Sequence, residues 1–348
     1  MRGRQHGRAF GDLIAQYPQL LVDQINNRPD VLHGQVSVEG SPPAPVTRAL
    51  LAQRARAMFP ELEKHFPTLV EEMRGIAVGA RLALDDVLIV NLRGELVRDS
   101  AVGEPACTAV AASRGSTAGG KTFVGQNLDM ERAMKDLLVV VHVTPHSGKQ
   151  SIMLTFAGLI GYNGLGNDIA VAATAGSVGN WSRGLPHYPL KRLLLEQTSV
   201  SDAAAVMKAY RFSSAGNYVL GDGAGNVLGL EVAPSLGMAT VEPDNHVLAH
   251  TNHFLSPGLA ARDALLRQFP DSPRRHERAM HLLSGNHGEI TLQTFFDLFR
   301  DHSGSTASIC RHDDLESVGS FVACVEDGVL YATTGSPCLS DYQRFELA

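Results

Sequence analysis

No apolar run in the sequence approaches the ~20 residues that a membrane-spanning helix needs. Nor is there a basic excess. Lys+Arg is 30 against 36 Asp+Glu, a formal net charge of −6, the wrong sign for a dedicated nucleic-acid binder. The basic N-terminus is not followed by a signal-type apolar stretch. The expectation is a soluble, cytoplasmic protein with neither membrane nor nucleic acid as partner. Cysteines are few (Cys107, Cys310, Cys324 and Cys338) and no CxxC pair occurs, which argues against a disulfide scaffold and a zinc ribbon. No internal repeat or low-complexity linker is visible. The single tryptophan, Trp181, reads as packing or pocket wall in a loop. What remains is globular: 44% hydrophobic and 19% charged residues.

The chain changes character once. Up to about residue 100 its apolar residues recur at helical spacing: Phe10, Leu13, Ile14, Tyr17, Leu20, Leu21 and Ile25, then a run from Leu50 to Ile76. Pro60 and Pro67 should break or kink that second run. A third helix fits Leu84–Val97, with Asp85 and Asp86 favoured in its first turn by the helix dipole. From Cys107 the period becomes that of strands: 107–113, 122–125, 137–143, 151–156, 169–174, 218–220, 227–232, 238–241, 246–252, 321–325 and 329–333. Asp222-Gly223 and Asp327-Gly328 are hairpin signals. Helices fit 188–210, 257–269, 273–284 and 291–302. The class is α+β, a helical segment followed by a mainly antiparallel sheet system with helix cover.

One motif misleads. Gly115, Gly120, Lys121 and Thr122 satisfy GxxxxGK[ST], which suggests a nucleotide-binding P-loop. That loop must open a helix whose amides converge on phosphate. Here Phe123 onward reads as a strand, so a glycine-rich hairpin loop is the better reading.

Cys107 opens the first strand. A free cysteine there is a buried small hydrophobe more often than a nucleophile. Yet the hairpin from Cys107 should return Asp129 to the start of that strand, so a thiol, a carboxylate and the amides of Gln126 and Asn127 share one edge. Asn252 closes a later strand and offers an oxyanion donor. His250 and His253 lack a third ligand, so no metal is expected. Arg274, Arg275 and His276 read as a solvated helix face, Cys324 as core and Cys338 as inert. Asp301 and His302 fit a helix end.

Ala106-Cys107-Thr108, then Gly125-Gln126-Asn127-Leu128-Asp129, then Thr251-Asn252-His253-Phe254, then Ser308-Ile309-Cys310-Arg311-His312, in that order, resemble the isopenicillin-N acyltransferase family of cysteine N-terminal-nucleophile (Ntn) hydrolases. Tyr162 and Asn163 are a weaker match, as are Asn217, Asp222, Gly225 and Glu231. The resemblance covers about residues 3 to 345. It implies an Ntn-hydrolase αββα sandwich with a helical N-terminal pro-segment. Residues 1–106 and 107–348 would be the two chains of one integrated domain, separated by autocleavage between Ala106 and Cys107. It implies Cys107 as nucleophile, Asp129 as orienter of the new α-amino group and Asn252 in the oxyanion hole. Thr108, Gln126, Asn127, Tyr162, Asn163, His253 and Arg311 would be substrate-binding. The substrates would be a small amide or acyl donor and an amine acceptor, with no cofactor and acyl-CoA at most as a substrate. The sequence departs from the family at Ala106, where glycine is usual. It also lacks the arginine some members place before the last hairpin, where Glu316-Ser317-Val318-Gly319 stands here; Arg311 is the candidate replacement. An unprocessed acyl-ligand binder on the same fold is the alternative.

Overall fold

Two helices cross so closely at the start of the chain that only glycine fits between them. In the computed structural model, α1 (Arg2–Asn26) lies against the later helix Pro67–Ala80, and a Cβ on Gly7 would fall 2.2 Å from the Ile76 carbonyl oxygen. The structure describes residues 1–27, 45–98, 106–145, 148–179, 182, 184–234, 236–304 and 307–348. Trp181 lies outside these.

The second helical run is α2 (Arg48–His65) and α3 (Pro67–Ala80). Pro67 ends one and starts the next, as expected. Pro60 lies inside α2 without breaking it. The third run divides at Leu92 into α4 (Leu84–Asn91) and α5 (Arg93–Arg98). Asp85 and Asp86 stand in the first turn of α4, where they receive Arg56 and Arg48 of α2. Asn91 fixes the helical segment to the sheets, donating to Gly158 O (2.8 Å) and accepting from Ile160 N (2.9 Å). One apolar core runs from Ile14 and Val90 through Phe156 to Val219 and Leu248, so helices and sheets pack as a unit.

Two antiparallel sheets follow. The first has the strand order Val247–His250, Ala106–Ala112, Phe123–Met130, Glu316–Cys324, Val329–Thr334, Gln343–Glu346, and the second runs in sequence order from Leu138–Val143 to Gly237–Val241. The strands that matter are β1 (Ala106–Ala112), β2 (Phe123–Met130), β6 (Ile169–Ala175), β10 (Val247–His250), β11 (Glu316–Cys324) and β12 (Val329–Thr334). β1 and β2 face β6 across the sandwich. Their other face meets the helices Ser272–Gly285 and Leu292–Phe299. The layers are therefore helix, sheet, sheet, helix. His187–Leu194 and Val200–Ala209 cover the second sheet.

The two-residue period of a strand sorts these side chains cleanly. Ala109, Ala111, Val124 and Leu128 enter the inter-sheet core. Val110, Ala112 and Phe123 join Phe295 and Phe299 on the helix side.

Several boundaries moved. β2 continues to Met130 through Gln126, Asn127 and Asp129, polar but wholly buried residues that look like a turn in sequence. The 188–210 helix is two, because the Ser199 side chain accepts from Asp202 N and starts a new one. Of 257–269 only Pro257–Ala260 is α-helical. There the Asp263 carboxylate takes the N–H groups of Leu265, Leu266 and Phe254, competing with helix continuation. The glycine loop ends in a strand, and Thr122 is held by Glu326 while Lys121 pairs with Asp327. Carboxylates stand where a P-loop would need phosphate, which removes that reading. No helix among the described residues is long and apolar enough to cross a membrane.

Candidate active site

Pairing between β1 and β2 sets Ala106 opposite Asp129, and Cys107 opposite Leu128. The hairpin thus returns the carboxylate to the scissile position inferred from the sequence. The Ala106–Cys107 peptide lies inside β1, wholly buried. Its Cys107 N–H donates to Asn252 Oδ1 at 2.8 Å. The Cys107 carbonyl accepts from Arg275 Nη1, also at 2.8 Å. Both polar atoms of the Cys107 backbone are therefore held by side chains from outside its own sheet pairing.

Alternation divides the site into two faces. Cys107 belongs to the inter-sheet side, where its thiol interacts with Gln126, Lys191 and Tyr162. Gln126 is fixed by Asn163 Nδ2 (2.8 Å) and Ala173 N (2.9 Å), both donating to its Oε1, and its own Nε2 donates to Ala173 O. The Lys191 ammonium sits 4.6 Å from the centre of the Tyr162 ring. Gln126, Asn163 and Tyr162 are thus gathered near the thiol.

Thr108, Asn127 and Asp129 project the opposite way. Asn127 Nδ2 donates to Phe299 O and Ile309 O, so it anchors the helix layer and does not line the thiol's face. Thr108 Oγ accepts from Arg275 at 3.1 Å, on the face opposite the Cys107 thiol. Strand alternation thus places Thr108 and Asn127 on the face away from the thiol. His253 lies beside the Asn252 turn. Its Nδ1 meets Ser272 Oγ at 2.9 Å, and that hydroxyl also receives Asn252 N–H, so its described role is to seat the Asn252 turn. His250 pairs with Glu231 at 2.9 Å and does not converge with His253.

Arg275 is the residue that sequence reasoning missed. It is wholly buried. Beyond the bonds already named, it donates to Asn252 Oδ1 (2.9 Å) and to Asp271 Oδ2 (2.7 Å). Arg311 reaches the same Asp271 oxygen at 2.6 Å, and its backbone N–H donates to Ser317 Oγ. Ser317 in turn donates to Asp129 Oδ1 at 2.6 Å. Arg311 therefore stands at the site as a support for the carboxylates.

Asn252 presents its oxygen to Cys107, because two donors, the Cys107 N–H and Arg275, converge there. Its Nδ2 donates to Ala175 O at 3.3 Å, a long bond.

Burial, and then the charge of Asp129, pushes the Cys107 thiol up to about 11, against smaller opposing effects from the Asp129 backbone, Gln126 and Lys191. Burial likewise raises Asp129 to about 6, with Arg275 and Arg311 pulling the other way. Asp129 Oδ2 has no hydrogen-bond partner among the described residues. A folded pKa above the unfolded value of about 3.9 means that the neutral carboxyl favours folding below about pH 4. That contribution is lost as pH rises through 6. Asn mimics the neutral form at every pH, so in a Cys107→Ala background, where the chain stays intact, adding Asp129→Asn should change little near pH 4 and raise stability at pH 7.5 by on the order of 3 kcal/mol. Denaturant melts of both proteins at the two pH values check this. A gap that stays constant, or reverses, would show that the two arginines outweigh burial.

The chain shows three kinds of similarity to known proteins. Residues 116–326 match the family described as acyl-coenzyme A:6-aminopenicillanic acid acyl-transferase. The matched stretch starts after Cys107. The chain is 31% identical over 269 residues to the acyl-coenzyme A:6-aminopenicillanic-acid-acyltransferase 40 kDa form of Emericella nidulans, covering 76% of this chain and 73% of that protein. It is similar to the solved structure of a Caenorhabditis elegans ortholog of N-acylethanolamine-hydrolyzing acid amidase, with TM-score 0.46 and 16% identity over 63% of this chain and 93% of that one. It is also similar to the conjugated bile acid hydrolase of Clostridium perfringens, with TM-score 0.46 and 13% identity over 70% and 97%.

Proposed function

The chain belongs to the acyl-coenzyme A:6-aminopenicillanic acid acyltransferase family, and from that premise we propose that it is a self-processing cysteine enzyme acting through an S-acyl intermediate on Cys107. As a member it has the Ntn-hydrolase fold and is a hydrolase or N-acyltransferase. The finer reading rests on one observation: the nitrogen of the Ala106–Cys107 peptide is already held by Asn252 Oδ1, with Asp129 opposite Ala106 in register.

In the precursor, the Cys107 sulfur attacks the Ala106 carbonyl carbon. A C–S bond forms, the Ala106–Cys107 C–N bond breaks, and the thiol proton goes to the departing nitrogen. Water then hydrolyses the thioester, leaving an Ala106 carboxylate, a free thiol and a free α-amino group. Residues 1–106 and 107–348 become two associated chains sharing the continuous core. Before cleavage the buried thiol stays protonated, since its pKa near 11 lies far above neutrality. After cleavage the α-amine, with an ordinary pKa of about 7.7–8.0, is a base within reach of its own side chain.

In turnover the amine takes the thiol proton, sulfur attacks the substrate carbonyl, and the ammonium returns the proton to the leaving amine. Water or an amine acceptor resolves the thioester. Asn252 Oδ1 and Asp129 orient the amine. Asn252 Nδ2, which donates to Ala175 O at 3.3 Å, is the oxyanion donor. The Gln126, Tyr162 and Lys191 face receives a small linear amide or an acyl donor. An acyl-CoA would enter as a substrate, and no cofactor is required. The working environment proposed is the cytoplasm.

Loss of an oxyanion donor should lower turnover of Asn252→Ala by ~10²-fold or more. Steady-state rates on a linear N-acyl amide check this, and parental turnover would remove Asn252 from the mechanism. The intermediate is tested by acid quench during turnover and peptide mapping. The acyl mass is expected on the peptide that begins at Cys107. Turnover with that peptide unmodified would reject the proposal.

A further inference from the structure

Four potential ligand atoms outside the active site converge on one point. His302, Cys310, His312 and Cys338 each offer one, and all lie within 4.8 Å of one another. They come from three separate segments. His302 follows the helix Leu292–Phe299, Cys310 and His312 lead into β11, and Cys338 follows β12. His302 Nε2 lies 3.0 Å from His312 Nε2. Cys310 Sγ is 3.6 Å and Cys338 Sγ 3.2 Å from that same His312 nitrogen.

This geometry exceeds what hydrogen bonding can use. A neutral imidazole nitrogen carries either one proton or one lone pair. A single N–H···N bond between the two histidines would exhaust His312 Nε2, yet two sulfurs are aimed at the same atom. A disulfide between Cys310 and Cys338 would account for two of the four groups and leave the facing imidazoles unexplained. A tetrahedral ion accounts for all four. Zn–N of about 2.0 Å and Zn–S of about 2.3 Å give ligand-to-ligand edges of about 3.3–3.8 Å, close to the three separations here.

We propose that His302, Cys310, His312 and Cys338 form a Cys2His2 site for one thiophilic divalent ion, with zinc the metal its donors fit best. Binding releases the two thiol protons to solvent, so two thiolates and the dication make a neutral centre. Cys310 is buried, Cys338 is half-buried and the histidines are exposed, so the ion is reachable from solvent. All protein ligand positions are filled, which makes the centre structural. It would clasp the 302–312 connection at both ends. Arg311 lies between two of the ligands, with its side chain on Asp271 and its backbone on the Ser317 that bonds Asp129. The ion would thus act as a positioning device for Arg311, distinct from the chemistry at Cys107. The proposal departs from the expectation, drawn from sequence spacing, that no metal is bound.

The test is elemental analysis of the tag-free, full-length protein after zinc loading and removal of free metal. About one zinc per chain is expected, falling below about a tenth in Cys338→Ala and in His302→Ala. Cobalt substitution supplies a second reading that does not depend on how well those variants fold. Parent protein loaded with cobalt should show thiolate-to-metal charge-transfer absorption, abolished by a chelator, and chelation should lower its melting temperature. Parent protein that retains no zinc, zinc content unchanged in Cys338→Ala, or a Cys310–Cys338 disulfide in the unreduced protein would each overturn the site. None of these results depends on whether Cys107 is a nucleophile.

Discussion

Cys107→Ala should lose turnover by ~10⁴-fold or more and remain a single uncut chain. Removing a nucleophile abolishes the covalent route, and only binding and oxyanion stabilisation are left. In the proposed mechanism the same sulfur also drives processing, so both losses should occur together. The substitution should cost the fold little, because alanine keeps the strand and the Cys107 N–H bond to Asn252. It should still unfold in a single cooperative thermal melt. Measuring linear-amide hydrolysis beside the melt separates the two effects. A folded Cys107→Ala protein that retains turnover would place the nucleophile elsewhere.

Arg275→Leu should be the most damaging change away from the thiol. The guanidinium is wholly buried and holds the Cys107 carbonyl, Thr108, Asn252 Oδ1 and Asp271 at once. Leucine leaves the buried Cys107 carbonyl and Asn252 Oδ1 without this donor, and leaves partly exposed Asp271 with Arg311 as its guanidinium partner. Breaking a buried ion pair by removing one partner costs about 3–5 kcal/mol. Processing should fail as well, since Asn252 loses the donor that turns its oxygen toward Cys107. Arg275→Lys separates the two roles. It keeps the charge near Asp271 but cannot reproduce the fork, so it should recover part of the stability and little of the processing. Chemical denaturation and the fraction of cut chain read these independently. An Arg275→Leu protein that is as stable as the parent and normally cut would contradict the reading of this arginine as the site's anchor.

How the sequence foreshadowed this arrangement depends on the kind of signal. The return of Asp129 to Ala106 was legible, because two β-prone runs joined by a glycine loop allow few other pairings. The opposite facing of Gln126 and Asn127 was not, because β2 was expected to stop at Gly125. Once the strand extends to Met130, alternation separates them. Arg275 was hidden beside exposed Arg274. Its only signal is helical phase: Arg275, Ala279 and Leu283 recur every fourth residue, and all three are buried. Of the residues proposed to hold a metal, only Cys310 and His312 are close neighbours in sequence, and His302 and Cys338 come from separate segments. Tertiary convergence of this kind leaves no local trace.

Intact mass spectrometry of freshly purified protein tests the central claim most directly. Two fragments summing to the full chain plus one water, and meeting between Ala106 and Cys107, are the predicted result. N-terminal sequencing of the larger fragment should begin with Cys107. A single uncut chain that hydrolyses or transfers acyl groups would contradict an N-terminal nucleophile at Cys107.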